Sequence, residues 1–373
     1  MKFHAGVIGA TGYIGTPYRE EMRGAPDAAR IVALCARRRD RLQAAAQVDG
    51  CSFITGDWRQ VVDHPEVDLV VVTTPDRLHR EPALAAAAAG KHLFCDKPVG
   101  ADVGEAYEIW RAYRDSGLAH YVPYWTRYEP TFRRVKELLD AGTLGELKVL
   151  VYRWHNPRPP AIPFIWRDDA GLSAAGSIAD VGSHAYDAVR WLAGCEARRV
   201  LAQAGVISPP KPDLGPIDLA EALEWGAAHP ASAATRTRAG TAYDYGAIIW
   251  EFHNGAVGCL LLSHAPALRK GLAPEVELHG SEASVSIDRV RHTVNLAGAD
   301  GEIDVEEIPE DPVNRWASFV LPALAERAAG AECDHPGLYD GWRTQVFTEA
   351  AVASAKRGTW VELAEMDAEA SRK

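Results

Sequence analysis

The chain opens on an apolar run, Phe3 to Ile8, that passes directly into Gly9-Ala-Thr-Gly12-Tyr-Ile-Gly15. Read locally, this is a strand, a glycine-rich turn and a helix start, and it constrains the fold more than any other stretch. The same alternation continues downstream. Ile31–Cys35 reads as a second strand, and Leu69-Val-Val-Val-Thr73 as a third, continuous and β-branched as a strand covered on both faces should be. A helix from Glu81 to Ala89, closed by Gly90, leads to a fourth strand, His92–Cys95. Strands alternating with helices predict a parallel, doubly wound sheet whose ligands sit beyond the strands' carboxyl ends. Thr74, Pro75, His79, Asp96 and Lys97 fall at such ends. After a helix over 103–116 comes a short strand near His120–Val122, where the first domain is expected to close.

Glycines let a backbone approach a pyrophosphate, and a helix start offers N–H groups and partial positive charge. Gly9, Thr11, Gly12, Tyr13 and Ile14 are therefore the expected phosphate-side contacts. The spacing is G-x-x-G-x-x-G, one residue longer than the commoner G-x-G-x-x-G. A dinucleotide fingerprint then expects a carboxylate about twenty residues on, at the end of the second strand. Ala36-Arg37-Arg38-Arg39-Asp40-Arg41 stands there instead. Guanidinium groups hold a phosphate bidentately, so NADP(H) is expected to be preferred over NAD(H), with Arg37 or Arg38 on the 2′-phosphate. Asp40 remains near enough to reach the ribose.

The second half changes character. Strand-like runs at 147–154, 199–205, 246–252, 256–264, 275–278 and 284–287 follow one another with few helices between, which points to a mainly antiparallel sheet. Asn254-Gly255 marks a hairpin. Residues 208–241 form a Pro-, Ala- and Gly-rich excursion, helical over 219–228. Between the first two strands, Ile178, Val181, Ala185, Ala188, Val189 and Leu192 recur at helical spacing up to Gly194. On that helix Asp180 and His184 lie one turn apart on one face, with Asp187 continuing the stripe. A carboxylate beside an imidazole can take and return a proton near neutral pH.

With 373 residues the chain is expected to form two domains, 1–122 and 123–373, the second ending in a helix at about 340–356. A formal net charge of -11 argues against nucleic acid or an anionic membrane as the main partner. The six cysteines show neither C-x-x-C nor zinc-ligand spacing, so no metal is expected. A strand beginning within a few residues of Met1 leaves no room for a signal peptide, and no apolar run is long enough to span a bilayer. A cytoplasmic protein is the expectation.

Several linked segments resemble the glucose–fructose oxidoreductase / inositol dehydrogenase (Gfo/Idh/MocA) family. Thr74-Pro75-Asp76-x-x-His79 and Ala-Gly90-Lys-His-Leu-Phe-Cys-Asp96-Lys97-Pro98 resemble its T-P-N-x-x-H and A-G-K-H-V-x-x-E-K-P. Tyr128-Glu-Pro130-x-Phe132 with Gly142-x-Leu-Gly145-Glu resembles the opening of its second domain. Trp166-Arg167-Asp168 with Gly176-x-x-x-Asp180-x-Gly-x-His184-x-x-Asp187 resembles its catalytic helix, and Asp340-Gly341-Trp-Arg-x-Gln345 its C-terminal helix. Asp96 replaces the usual Glu, Asp76 the usual Asn, and the 208–241 excursion is longer than typical. The resemblance implies a Rossmann domain plus a C-terminal α/β domain with an open sheet, in a homodimer or homotetramer. It implies Lys97, Asp180 and His184 as the catalytic trio, and a cis Lys97–Pro98 peptide. The substrate implied is a sugar, sugar derivative or cyclitol with a secondary alcohol. Tyr124, Trp154, His155, Trp166 and Arg167 are expected to line its cleft. Two rival readings are a glycosidase that oxidises its sugar transiently and a non-catalytic sensor on the same scaffold. The presence of all three catalytic residues speaks against the sensor.

Overall fold

The computed structural model describes residues 1–173, 175–230, 236–310, 312–331 and 333–370. The chain divides into two compact units, one comprising Met1–Pro123 and Pro312–Gln345, the other Tyr124–Asp311 and Val346–Arg372. The return of residues 312–345 to the first unit is a crossing that a linear division at 122/123 does not include.

In the first unit β1 (Phe3–Ile8), β2 (Ala29–Cys35), β3 (Phe53–Thr55), β4 (Leu69–Val72), β5 (His92–Cys95) and β6 (His120–Tyr121) form one sheet. Its order is β3-β2-β1-β4-β5-β6, every pair parallel. The connecting helices are α1 (Gly15–Arg23), α2 (Arg39–Asp49), α3 (Trp58–Val62), α4 (Arg80–Ala88) and α5 (Val103–Ser116). All four residues of β4 are fully buried, as expected of a strand covered on both faces. The strand order reverses between β1 and β4, which opens a crevice at their carboxyl ends.

The second unit holds α6 (Pro130–Asp140), β7 (Leu147–His155), α7 (Ser177–Ala193), β8 (Ala197–Gly205), β9 (Lys211–Pro212), α8 (Leu219–Ala228) and β10 (Thr237–Arg238). There follow β11 (Tyr245–Phe252), β12 (Val257–Ser263), β13 (Val276–Gly280), β14 (Ser284–Asp288), β15 (Thr293–Ala297) and β16 (Ile303–Glu307). The chain then forms α9 (Leu321–Ala328) in the first unit, the long α10 (Leu338–Arg357), β17 (Val361–Glu362) and α11 (Leu363–Ala370).

The large sheet has the order β16-β15-β14-β13-β7-β12-β11-β8-β17. It is mainly antiparallel, with β7 and β12 running parallel at its centre. Helix α7 packs on β7, β11 and β12, and alternate residues of those strands, such as Ile248, Trp250, Leu260 and Leu262, are buried there. The opposite face carries Val149, Ile249 and Val257, each at least 40% exposed. The excursion forms the short β9–β10 ribbon and α8, which begins and ends where the sequence places it. Its residues 231–235 lie outside the described ones.

No helix among the described residues is long and apolar enough to cross a membrane.

Candidate active site

The cofactor side of the first unit is built largely from backbone. Gly9 has φ +89°, and a Cβ there would stand 2.7 Å from the Thr73 carbonyl oxygen. A Cβ on Gly15 would meet the Gly9 carbonyl at 2.4 Å. Both positions thus exclude side chains, and they let the turn close tightly against Thr73 at the β1/β4 crevice. Gly9 and Ala10 donate backbone N–H bonds to the Cys35 carbonyl at 3.0 and 3.1 Å, tying the turn to the end of β2. Helix α1 starts at Ile14 with no side-chain cap and no acid in its first turn, so its positive end is uncompensated toward an anion. Arg19, buried on α1, donates Nε to the Ala10 carbonyl at 2.8 Å and pairs with Asp49 at the end of α2. Sequence reading missed this brace.

Arg37, Arg38 and Asp40 are exposed at the start of α2, with Arg38 at its N-cap. Thr74 and Pro75 follow β4, half-buried. Tyr13 is 43% exposed beside the turn. His79 is placed differently from expectation. It is 1% exposed, with Nδ1 2.9 Å from the Pro98 carbonyl and Nε2 2.7 Å from the Thr74 carbonyl. Its two ring nitrogens face those two carbonyls, so His79 sits between the Thr74 loop and the Lys97–Pro98 loop. Asp96 is buried and Lys97 half-buried at the end of β5, and the Lys97–Pro98 peptide is cis.

Elsewhere in the first unit, Glu326, Cys333 and His335 bring ligand atoms within 4.8 Å of one another. Glu326 is exposed, and burial raises the Cys333 thiol above its usual range.

The cluster in the second unit is built from side chains on distant segments. Gly176 starts α7 with φ +56°, its Cα so close to Tyr243 that a Cβ would lie 2.1 Å from that carbonyl oxygen. Asp180 stands in the first turn of α7, where the helix dipole favours a carboxylate. Its Oδ2 lies 3.4 Å from His264 Nε2, 3.5 Å from Arg167 Nε and 3.6 Å from an Arg158 amino group. Neither Arg158 nor His264 was singled out in the sequence. Both emerge at the shared carboxyl end of β7 and β12, where Asn156 N donates to Ser263 O at 2.8 Å and Arg158 N to His264 O at 3.3 Å. Parallel pairing of those strands is the signal that identifies them.

His184 lies one turn further along α7. The Tyr124 ring packs edge-on against its imidazole at 5.8 Å, and the Trp154 ring stacks on it at 5.9 Å. Tyr124 is fully buried, so it supports the imidazole and presents no surface to a sugar. Asp187, the next acid of the stripe, is fully buried and receives two hydrogen bonds from Arg127, at 2.7 and 2.5 Å. That pair clamps α7 to the turn after Tyr124. Trp166 and Arg167 fall together on a short turn, the guanidinium 4.4 Å from the indole centre.

His155 does not join this group. Successive strand residues point to opposite faces, and Trp154 faces His184. His155 instead lines a cavity of about 230 Å³ with Arg153, Arg269, Lys270 and Asp288. Burial, then the neighbouring Arg153, lowers its pKa below the usual imidazole range.

Comparison with known proteins agrees with this architecture. Residues 3–124 match the oxidoreductase family with an NAD-binding Rossmann fold, and residues 132–286 match the GFO/IDH/MocA C-terminal domain. Levoglucosan dehydrogenase of Pseudarthrobacter phenanthrenivorans is 26% identical, with 87% of each chain covered. Inositol 2-dehydrogenase of Rhizobium meliloti is also 26% identical, over 98% of this chain and all of the other. The solved structure of levoglucosan dehydrogenase in complex with NADH and L-sorbose superposes with a TM-score of 0.83 at 23% identity, covering 98% of this chain and 100% of that one.

Proposed function

The chain belongs to the Gfo/Idh/MocA family of oxidoreductases, and on that premise we propose that it transfers a hydride between a nicotinamide cofactor and a secondary alcohol of a sugar, sugar derivative or cyclitol. The observation that carries this reading is the convergence on α7. A carboxylate surrounded by Arg158, Arg167 and His264 stands one turn from an imidazole backed by Trp154. Fixed polar groups beside a flat aromatic ring suit the hydroxyls and apolar face of a cyclic polyol. Levoglucosan and inositol, named for the relatives above, are such molecules.

The tight Gly9–Gly15 turn and the uncapped start of α1 fit a pyrophosphate. When bound, the nicotinamide supplies the hydride acceptor or donor. The chain's own residues supply the rest. His184 takes the hydroxyl proton on its imidazole during oxidation and returns it during reduction. Lys97 stabilises alkoxide character on that oxygen with a fixed positive charge. Asp180 holds a neighbouring hydroxyl, itself oriented by the two arginines. Arg37 and Arg38 favour NADP(H) over NAD(H).

The outer face of the large sheet, with Val149, Ile249 and Val257 exposed, is covered by a second copy in a closed homodimer or homotetramer. A monomer mass by light scattering at micromolar concentration contradicts that assembly.

A screen of sugars and polyols with both cofactors, followed by absorbance of reduced nicotinamide, tests the reaction. Turnover of at least one cyclic polyol is expected. Absence of any redox turnover across the panel rejects the reading.

A further inference from the structure

The 208–241 excursion is the one sequence motif that the reaction leaves without a task. Its described residues hold the Trp166–Asp168 turn from several sides. Lys211 Nζ donates to Asp168 Oδ1 at 2.6 Å, both side chains being buried. Asp168 Oδ2 accepts from Ile165 N at 3.0 Å. Across the ribbon Lys211 is paired with Arg238. Arg238 donates to Asp169 Oδ2 at 2.6 Å and lies 4.0 Å from the Phe164 ring centre. Two consecutive acids are therefore held by two facing cations. Leu219 and Ala222 of α8 bury against Ile162 and Ile165 on the same loop.

The chain leaving the excursion adds backbone ties. Thr241 and Ala242 donate to the Asp168 carbonyl at 2.8 and 3.1 Å, Ser177 N donates to Tyr243 O at 2.7 Å, and His264 N to Asp244 O at 2.9 Å. One short segment thus fastens the turn bearing Arg167, the start of the helix bearing Asp180 and His184, and the strand end bearing His264. A buried ion pair contributes little net stability over an apolar pair of the same shape. What Lys211 and Asp168 impose is a single geometry on the turn.

We propose that Lys211 is a positioning residue. Through Asp168 it sets the direction of Arg167 toward Asp180, and with it the grip on the substrate. This rests on the reading of Arg167 as a substrate-side residue.

The test compares wild type, Lys211→Met, Lys211→Arg, Arg167→Ala and Arg167→Ala/Lys211→Met. Phenylglyoxal labelling of Arg167, mapped by mass spectrometry, and amide exchange at Thr241 and Ala242 are read without substrate. KM and kcat are read with levoglucosan, and NADH affinity by fluorescence. In Lys211→Met, Arg167 labels about tenfold faster, the two amides exchange faster and KM rises about tenfold, with NADH affinity unchanged. Lys211→Arg restores all of these. In KM the double mutant matches Arg167→Ala, because Lys211 acts on substrate through Arg167. Should Lys211→Met fail to fold, Asp168→Asn/Lys211→Met removes both buried charges and takes the same measurements. Unchanged labelling and exchange overturn the proposal, as do effects of the two single mutations that simply multiply. If labelling and exchange respond as expected but wild type does not oxidise levoglucosan, the reaction with this sugar is rejected and the positioning role stands.

Discussion

The Gly9–Gly15 turn and the Asp180 cluster are built in opposite ways. The first is backbone, with glycines where a Cβ would strike Thr73 or Gly9 itself and a helix end left uncapped. Its parts come from one short piece of chain and the strand beside it. The second is side chain: Arg158, Arg167 and His264 arrive at Asp180 from three segments, and Arg158 and His264 are 106 residues apart. The difference teaches that the cofactor side is set by what local backbone can do. The Asp180 cluster, proposed as the substrate side, depends on strand pairing, buried ion pairs and the 208–241 excursion.

The largest expected effect lies on the substrate side and should leave the other untouched. His184→Ala is expected to lower turnover by roughly 10²–10⁴, the range for a positioned general base, with cofactor affinity unchanged. Steady-state kinetics alongside a cofactor titration measure both, and near-normal turnover at neutral pH removes His184 from the mechanism. Next comes Arg127→Met, which removes both Arg127 hydrogen bonds from the fully buried Asp187 carboxylate and leaves Arg190 4.0 Å away. Breaking such a pair costs about 3–5 kcal/mol. Denaturant unfolding followed by a probe in the second unit should show that loss. A variant as stable as wild type would show that the α7 clamp contributes nothing.

The same contrast explains what the sequence made legible. The parallel sheet, its strand ends and the glycine turn were readable because periodicity and positive φ are local demands. Asp180 and His184 were readable because helical spacing alone puts them on one face. Arg158 and His264 were not, since their meeting needs β12 to lie parallel to β7, an exception within a mainly antiparallel sheet. His155 was misplaced for want of the strand's alternation, and His79 for want of the two carbonyls it meets. Strand β16 was missed because only Ile303 and Val305 alternate with its acids, a pattern too short to read, and all its residues are exposed. Asp168 and Lys211 look like ordinary surface charges until the ribbon is folded onto the turn.

The cofactor side can be broken separately. Gly9→Ala places a Cβ 2.7 Å from the Thr73 carbonyl at φ +89°. A strained φ of this kind costs about 1–3 kcal/mol, and the methyl group also pushes the turn away from Thr73. Cofactor affinity is therefore expected to fall by roughly tenfold or more. Circular dichroism should report an unchanged fold. Unaltered affinity would mean that the pyrophosphate is not held against this turn.

The effect most open to solvent screening sharpens the comparison most, because it asks whether side chains also decide anything on the backbone-built side. Arg37 and Arg38 stand exposed where a ribose-binding carboxylate is otherwise expected, and Asp40 follows two residues after Arg38 in the first turn of α2. A carboxylate at the earlier position would accept the ribose hydroxyls and repel a 2′-phosphate, whereas arginine reverses both preferences. Exposure weakens each contact through solvent screening, and the two arginines are partly redundant, so either single mutant should lose less than the pair. A charge-assisted hydrogen bond is worth about 1.5–3 kcal/mol net. Arg37→Ala/Arg38→Ala is therefore expected to lower NADP(H) affinity relative to NAD(H) by roughly ten- to a hundredfold, and the difference should shrink as salt is raised. Titrating both cofactors against wild type and the double mutant at two ionic strengths measures this. Equal or tighter binding of NAD(H) by wild type would show that Asp40 on the ribose governs the choice. An unchanged preference in the double mutant would show that the arginines only solvate the start of the helix.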